Sequence, residues 1–440
     1  MKKERTVASL VYAFMLTVIA NSWIFLNKWI VCIYVPIFLG MIVFAGTLCF
    51  KTDRFRLRIC HHGAIMLTAL MLAVPLSVSI HIVLAFKTIP AQYMQFIFSV
   101  IYCFCLQAIW FWVGILCIYF SSFQLGIKER IIGIVFGMIP GLNLFILYRI
   151  LRIVFSEVDY EQQKQLVNAQ RKDQQICKTK YPIVLVHGIC LRDYKYFNYW
   201  GRIPKELQQN GAQIFYGDQH SAASIKDCAQ EVADRVKELC KTLPCEKVNI
   251  IAHSKGGLDT RYAVEKLGLA PYVASITTVS TPHRGCLYAE NLLHNVDEHV
   301  QQRVARTYNR SMRLLGDKKP DFLAAVRDLT NDACEKFNQE IKDPEGIYCQ
   351  SFGSVLVKAS GAKFPMNLTY PIVKCFDGRN DGLVSETSFS WGEKYTLLEP
   401  TGKEGISHGD MIDLNRMNIE GFDVREFYVE LVQDLKNKGF

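Results

Sequence analysis

The sequence predicts two unlike parts: an all-α region built to cross a bilayer, then an α/β domain around a mostly parallel sheet. Two observations carry this. Long uncharged apolar runs fill the first third of the chain. After residue 180 they give way to short apolar segments bounded by Pro and Gly, which alternate with stretches of helical periodicity.

Residues 6–27 and 29–50 each run 22 residues without a Lys, Arg, Asp or Glu, residues 63–86 add 24 more, and 88–127 carry no such charge. A bilayer span needs roughly 20 apolar residues. Several successive runs also exclude a single cleaved signal segment. Four spans are expected, near 7–26, 29–50, 64–86 and 93–120, within a helical domain over 1–155. A fifth run, 131–148, is interrupted by Pro140-Gly141 and reads either as a short span or as a re-entrant pair of half-helices. The formal charge of +9 arises in this region, where 13 Lys/Arg face 3 Asp/Glu. Basic residues between apolar runs are what a membrane domain carries on its cytoplasmic side. The bilayer is therefore the expected partner, and nucleic acid is not.

Six of the 15 cysteines lie in this first third and the other nine are scattered. Cys240 and Cys245 lack zinc or redox spacing, so free thiols are expected rather than a disulfide framework or a metal cluster.

Residues 156–180 are polar and alternate in charge, as a surface helix or linker would. From 181 onward "YPIVLVHG", "AQIFYGD", "KVNIIAH" and "YVASITTVST" read as strands. "IPKELQQNG", 221–242 and 256–267 read as the helices between them. Such alternation implies a parallel sheet with helices on both faces. Over about 286–341 the strands stop. Leu292, Val296, Val300, Val304, Tyr308 and Met312 recur every four residues, the pattern of an amphipathic helix. It reads as an ordinary core cover or as a lid over an apolar cleft.

"VNIIAHSKGGLD" places Ser254 where a buried strand breaks into a helix. A serine hydroxyl is a poor nucleophile unless a histidine base, held by a carboxylate, takes its proton. The sharp turn that exposes such a serine needs small residues two before and two after it. Ala252 and Gly256 stand there, and alanine departs from the usual glycine by one methyl. The oxyanion formed on attack needs two N–H donors. Lys255 follows the serine, and Ile189 follows Gly188 at the end of the first strand. His187 is read as shaping that loop.

The order nucleophile, acid, histidine leaves His408 in "GISHGDMID" as base, with Asp381 in "DGRNDGLVS" as its acid and Asp377 the runner-up. "YPIVKCF", just before that loop, looks like a strand. His283, His294 and His299 precede any such acid and read as loop or surface residues.

At this point residues 179–440 resemble the bacterial triacylglycerol lipase family typified by pseudomonad lipases. The likeness runs in order through "TKYPIVLVHG", "YWGRIPKELQQNGAQIF", "KVNIIAHSKGG", "STPHRG", "LTNDACEKFN", "NDGLVS" and "SHGD". It implies an α/β-hydrolase fold over 181–440 with a helical lid. It also implies Ser254 as nucleophile, Asp381 as acid, His408 as base, and Ile189 and Lys255 as oxyanion donors. The family's calcium site uses an acid two residues after the histidine. Asp410 fits that place, but "SGAKFPMNLTY" offers no partner Asp, so no cofactor is expected. The family's disulfide cysteine after N-D-G-L-V is missing, Glu386 and Thr387 occupying that region.

The expectation is a multi-pass, membrane-anchored lipase or esterase acting on lipid esters, with Tyr194, Tyr196, Phe197, Tyr199 and Trp200 reading either as part of the acyl cleft or as core packing. An acyltransferase on the same scaffold and a catalytically silent scaffold are the alternatives. Charge distribution and the missing disulfide favour a cytoplasmic catalytic domain.

Overall fold

The computed structural model describes residues 2–25, 28–45, 52, 54–137, 139, 141–189, 198–220, 222–314, 316–317, 319–399 and 402–440. The chain divides into two compact units, Met1–Val167 and Asn168–Phe440.

In the first unit, α1 (Lys2–Ala20), the short α2 (Ser22–Phe25) and α3 (Lys28–Phe44) pack with α4 (Phe55–Ser121). The 67-residue run of α4 doubles back on itself. Trp110 Nε1 donates to Met66 O at 2.7 Å and Gln107 Nε2 to Ser77 Oγ at 2.8 Å, so its two halves lie antiparallel. They cross closely where a Cβ on Gly63 would meet Gly114 O at 2.6 Å, a place only a small residue fits. These halves, Phe55–Phe86 and Tyr93–Ser121, are 32 and 29 residues long and apolar enough to cross a bilayer. Only 22% and 28% of their most apolar stretches are buried, which is not how the core helix of a water-soluble protein behaves. Of α3, Ile33–Phe44 forms a shorter apolar helix. The run at 131–148 is divided between α5 (Ile127–Phe136) and the start of α6 (Leu142–Arg171). Pro140, the expected hinge, lies outside the described residues. The polar stretch from 156 continues α6 as helix through Arg171.

Charged side chains gather at one end of this unit. Glu157 is buried and accepts from Arg56, from Ser122 Oγ at 2.6 Å, and from the amides of Phe123 and Gln124 at 3.1 Å. Arg54 pairs with Glu161 and Arg5 with Asp159. A buried carboxylate is stable only when paired and hydrogen-bonded in this way.

The second unit is built on six parallel strands in the order β2-β1-β3-β4-β5-β6. They are β1 (Ile183–Val186), β2 (Ile214–Tyr216), β3 (Val248–His253), β4 (Val273–Val279), β5 (Tyr348–Ser354) and β6 (Lys394–Leu398). The central strands are buried on both faces, which is why they read as unbroken apolar runs. Ile183, Leu185 and Ile251 pack with α7 (Ile203–Gln209) and α15 (Val424–Asn437) on one face. Val184, Val186, Ile250 and Ala252 pack with α8 (Ile225–Thr242) and α9 (Lys255–Lys266) on the other. Helix α8 is capped by Ser224, which accepts from Asp227 N, and buries Ile225, Ala229, Val232, Val236 and Leu239 at helical spacing.

Two readings of the sequence are corrected. The strand-like "YPIVKCF" lies within a helix, α14 (Met366–Asp377). Met366, Tyr370 and Val373 form its buried face, while Leu368, Ile372 and Phe376 are exposed. Apolar residues on both faces hid the helical period. The four-residue stripe of the lid region is two helices, α10 (Leu287–Asn295) and α11 (Glu298–Leu314), broken at Val296 and Asp297. They precede α12 (Phe322–Arg327) and α13 (Asn331–Glu340), all inserted between β4 and β5.

Helix α9 crosses β1 at Gly256, where an added Cβ would lie 2.4 Å from His187 O and 2.8 Å from Val186 O. Both obstacles are backbone and neither swings aside. Gly256→Ala is expected to destabilise this unit by about 1–3 kcal/mol, as overpacking does. Thermal unfolding of the purified protein in detergent checks this, and an unchanged midpoint would refute the close crossing.

Candidate active site

Ser254 sits between β3 and α9 with φ 55° and ψ −132°, a backbone conformation that non-glycine residues rarely adopt. Its amide still donates to Val279 O at 2.9 Å, so the strand ladder holds the residue until the chain reverses. Ala252 is fully buried opposite Val186 and Thr278, and the turn forms with alanine at that position. Lys255 opens α9, so its N–H has no acceptor within the helix and points with the positive end of the helix dipole. Gly188 faces the serine closely: a Cβ there would meet Ser254 Cβ at 2.7 Å and Tyr199 Oη at 2.8 Å. Ile189 follows it directly. The His187 ring lies between the carbonyls of Gly188 (2.8 Å) and Gln219 (2.9 Å) and donates its single N–H to one of them, which helps set the shape of this loop.

Asp381 and His408 are brought together from 27 residues apart. His408 Nδ1 donates to Asp381 Oδ2 at 2.7 Å, and His408 N donates to Asp381 O at 2.8 Å. The other carboxylate oxygen accepts from Leu383 N at 3.0 Å and Val384 N at 2.8 Å. Asp381 is fully buried, and these four bonds fix both its position and that of the imidazole. The His408 ring lies 4.5 Å, centroid to centroid, from the ring of His253, the neighbour of Ser254. Asp377 is placed elsewhere: its carboxylate accepts from Leu287 N and Tyr288 N at the start of α10.

The other expected residues separate cleanly. His283 is buried between Arg261, Thr278 and Trp391, with Asn338 donating to its carbonyl at 2.8 Å. Burial and the neighbouring Arg261 hold its pKa well below the usual histidine range. His294 and His299 are exposed on α10 and α11. Tyr199 and Trp200 are buried among Ile203, Tyr428 and His253, so they belong to the core rather than to a cleft. Tyr194, Tyr196 and Phe197 lie outside the described residues. On the lid helices Leu292, Val300 and Val304 are exposed, whereas Met312 is buried.

Asp410, which the resemblance assigns to a calcium site, is engaged within its own turn. Its carboxylate accepts from Ser407 N at 2.9 Å and Ser407 Oγ at 2.6 Å, closing its own turn. Asp413, the nearest further acid in the chain, is held at 2.7 Å by two guanidinium nitrogens of Arg202. Calcium takes about six to eight oxygen ligands. Among the described residues no three His, Cys, Asp or Glu side chains gather where a metal ion would sit.

One buried ion pair was not visible in the sequence. Lys255 Nζ lies 2.6 Å from Asp259 Oδ1, one helical turn on, and both side chains are almost wholly buried. Burial works against both charges. For Lys255 burial is the largest single influence, but the charge and hydrogen bond of Asp259, with Cys228 and Asp328, together outweigh it and raise the pKa, so the ammonium stays charged. For Asp259 burial dominates and pushes the carboxyl to about 7. At this distance we read the two as one ion pair behind the turn.

A family model described as "Palmitoyl protein thioesterase" matches residues 182–315. A triacylglycerol lipase of Vibrio cholerae serotype O1 is 28% identical over 242 residues, covering 49% of this chain and 76% of that protein. The triacylglycerol lipase of Pseudomonas fragi is 27% identical over 296 residues, covering 59% of this chain and 98% of the relative. That of Burkholderia plantarii reaches 37% identity over 119 residues, a third of its own length (32%) and 26% of this chain. Among solved structures, a Staphylococcus hyicus lipase superposes with a TM-score of 0.48 at 18% identity, over 59% of this chain and 98% of that one. Sheet, turn and relatives together define a carboxylic ester hydrolase of the α/β-hydrolase superfamily. Within that superfamily the chain is similar to triacylglycerol lipases.

Removing the carboxylate of Asp259 would leave the Lys255 ammonium buried and unpaired. Asp259→Ala is therefore expected to lose on the order of 3–5 kcal/mol of stability. Lys255→Met combined with Asp259→Leu should recover most of it, because the charge leaves with its partner. Equilibrium denaturation of the three proteins tests this, and a single variant as stable as wild type would disprove the ion pair.

Proposed function

We propose that this protein is a membrane-embedded serine lipase or esterase whose substrates are acyl esters of lipids. The observation that carries the reading is the Asp381–His408 pair beside the strained turn at Ser254. In the proposed reaction Ser254 Oγ attacks the ester carbonyl while His408 Nε2 takes the hydroxyl proton. The oxyanion is met by the amides of Ile189 and Lys255. His408 then returns the proton to the departing alcohol oxygen, leaving an acyl-enzyme. Water, deprotonated by the same imidazole, releases the fatty acid. Asp381 holds the ring in the tautomer that exposes Nε2.

The substrate class comes from the lipase relatives, and the apolar residues left exposed on α10 and α11 suit an acyl chain. The match to the thioesterase model favours a second acyl donor, a long-chain thioester, in the same site. Oxyester and thioester with one acyl chain, compared on the purified protein, separate the two.

We also propose four crossings with the hydrolase unit on the cytoplasmic side. Support comes from the polar layer of the helical unit. Arg5, Arg54, Arg56, Ser122 and residues 157–161 bond to one another, so they occupy one face of the bilayer. The chain thus emerges through α6 on the side of its own N-terminus. The apolar start of α6 and the preceding α5 then enter and return as a re-entrant pair. This face carries most of the Lys and Arg, which marks it as cytoplasmic.

Ser254→Ala is expected to abolish labelling by a fluorophosphonate probe and to lower turnover by several orders of magnitude while the protein stays folded. His408→Ala should lose comparable activity. A labelled alanine variant would move the nucleophile to another serine.

Cys375 is exposed on α14 of the hydrolase unit. With intact cells, a membrane-impermeant thiol reagent should leave it unmodified, and lysis should make it reactive. Modification before lysis would place the unit outside and turn residues 131–148 into a fifth crossing.

A further inference from the structure

We propose that Tyr199 and His253 form a positioning relay that ties the oxyanion loop to the backbone of His408. The two halves of the site are thereby held in register. This rests on the assignment of Ser254 and His408 given above and adds two residues to it.

The chain of bonds is continuous. Gly188 N donates to Tyr199 Oη at 3.0 Å, Tyr199 Oη lies 2.7 Å from His253 Nδ1, and His253 Nε2 lies 3.2 Å from His408 O. Its direction follows from chemistry. A carbonyl oxygen only accepts, so His253 carries its proton on Nε2 and donates it to His408 O. Nδ1 of the neutral ring is then an acceptor, and the Tyr199 hydroxyl donates to it. The phenol oxygen keeps a lone pair for the Gly188 amide. Each donor in the chain has an acceptor, and reversing the Tyr199–His253 bond would leave a bare Nε2 facing the His408 carbonyl, acceptor against acceptor.

The surroundings hold His253 neutral. It is fully buried, and desolvation followed by the adjacent His408 keeps its pKa well below the usual histidine range. Trp200 packs edge-on against its ring at 6.2 Å. A neutral neighbour matters because His408 becomes an imidazolium during the reaction, with the His253 ring 4.5 Å away. A second cation there would oppose proton uptake.

The geometric consequence lies in the oxyanion loop. Gly188 spends its amide on Tyr199, so the next amide, that of Ile189, is the one left to face substrate. The loop approaches Ser254 so closely that Gly188 has no room for a Cβ. The Tyr199 bond links this loop through His253 to the histidine 155 positions further on. Tyr199 and His253 touch no reacting atom, so they act through Ile189 and His408.

The test uses the full-length protein in detergent, a short-chain soluble ester, and kcat expressed per site titrated with a fluorophosphonate, so that misfolded molecules drop out. Tyr199→Phe keeps the ring and removes the bond. We expect a ten- to hundredfold loss in kcat, roughly what a misplaced oxyanion donor costs, with KM changed less than about twofold. His253→Leu should behave alike. His253→Gln should regain most of the activity, because its amide oxygen accepts from Tyr199 while its NH2 donates to His408 O. A Tyr199→Phe enzyme within about threefold of wild-type kcat, or His253→Leu equal to His253→Gln, would overturn the relay. Activity persisting in Ser254→Ala would instead overturn the assignment on which it rests.

Discussion

The hydrolase unit depends on one backbone reversal. Between β3 and α9 the chain turns so sharply that Ser254 is held at positive φ, and that strain persists only because the surroundings leave no alternative. The ladder bond to Val279 pins one side of the turn, and the packing of α9 on β1 through Gly256 pins the other. Gly188 comes in from β1 against the serine itself. Parallel strands lying side by side deliver these loops to one end of the sheet, the usual place for a site in such folds. The small residues are thus a requirement of distance: where backbone meets backbone at van der Waals contact, a methyl decides whether the turn closes.

Around that reversal several polar groups are buried, and Asp381, Lys255 and His253 each find partners in their own way. Asp381 spends one oxygen on His408 and the other on two amides. Lys255 turns its side chain away from its own amide to meet Asp259. His253 stays neutral and hydrogen-bonded at both nitrogens. In a low-dielectric interior an unsatisfied member of such a set would be costly, so the set behaves as a unit. The same bonds that stabilise these groups also limit the rotation of each ring and carboxylate.

The helical unit solves a different problem with the same chemistry. Its long apolar faces stay exposed, and Arg5, Arg54 and Arg56 pair with the acids at 157, 159 and 161 around Glu157. Glu157 receives a guanidinium, a hydroxyl and two amides, which fastens α6 to the loop after α4. Helices that bury little of their own surface gain definition from such pairs and from close glycine crossings such as Gly63 on Gly114.

Much of this was legible in the sequence, because the signals were local. Uncharged runs longer than a soluble helix needs marked the apolar unit. Central strands buried on both faces announced themselves as continuous apolar segments. The small residues around Ser254 marked the turn, and chain order singled out Asp381 and His408. What stayed hidden depended on contacts between distant positions. Helix α14 read as a strand because its exposed face is as apolar as its buried one, and only packing distinguishes the two. The bond of Glu157 to Arg56, 101 positions before it, was likewise a matter of pairing between distant residues. His253 stood in plain view next to Ser254, yet no spacing rule points to it. Its bonds reach Tyr199, 54 positions before it, and His408, 155 after it. Periodicity reports which face of an element is buried; only the tertiary structure decides what that face is buried against.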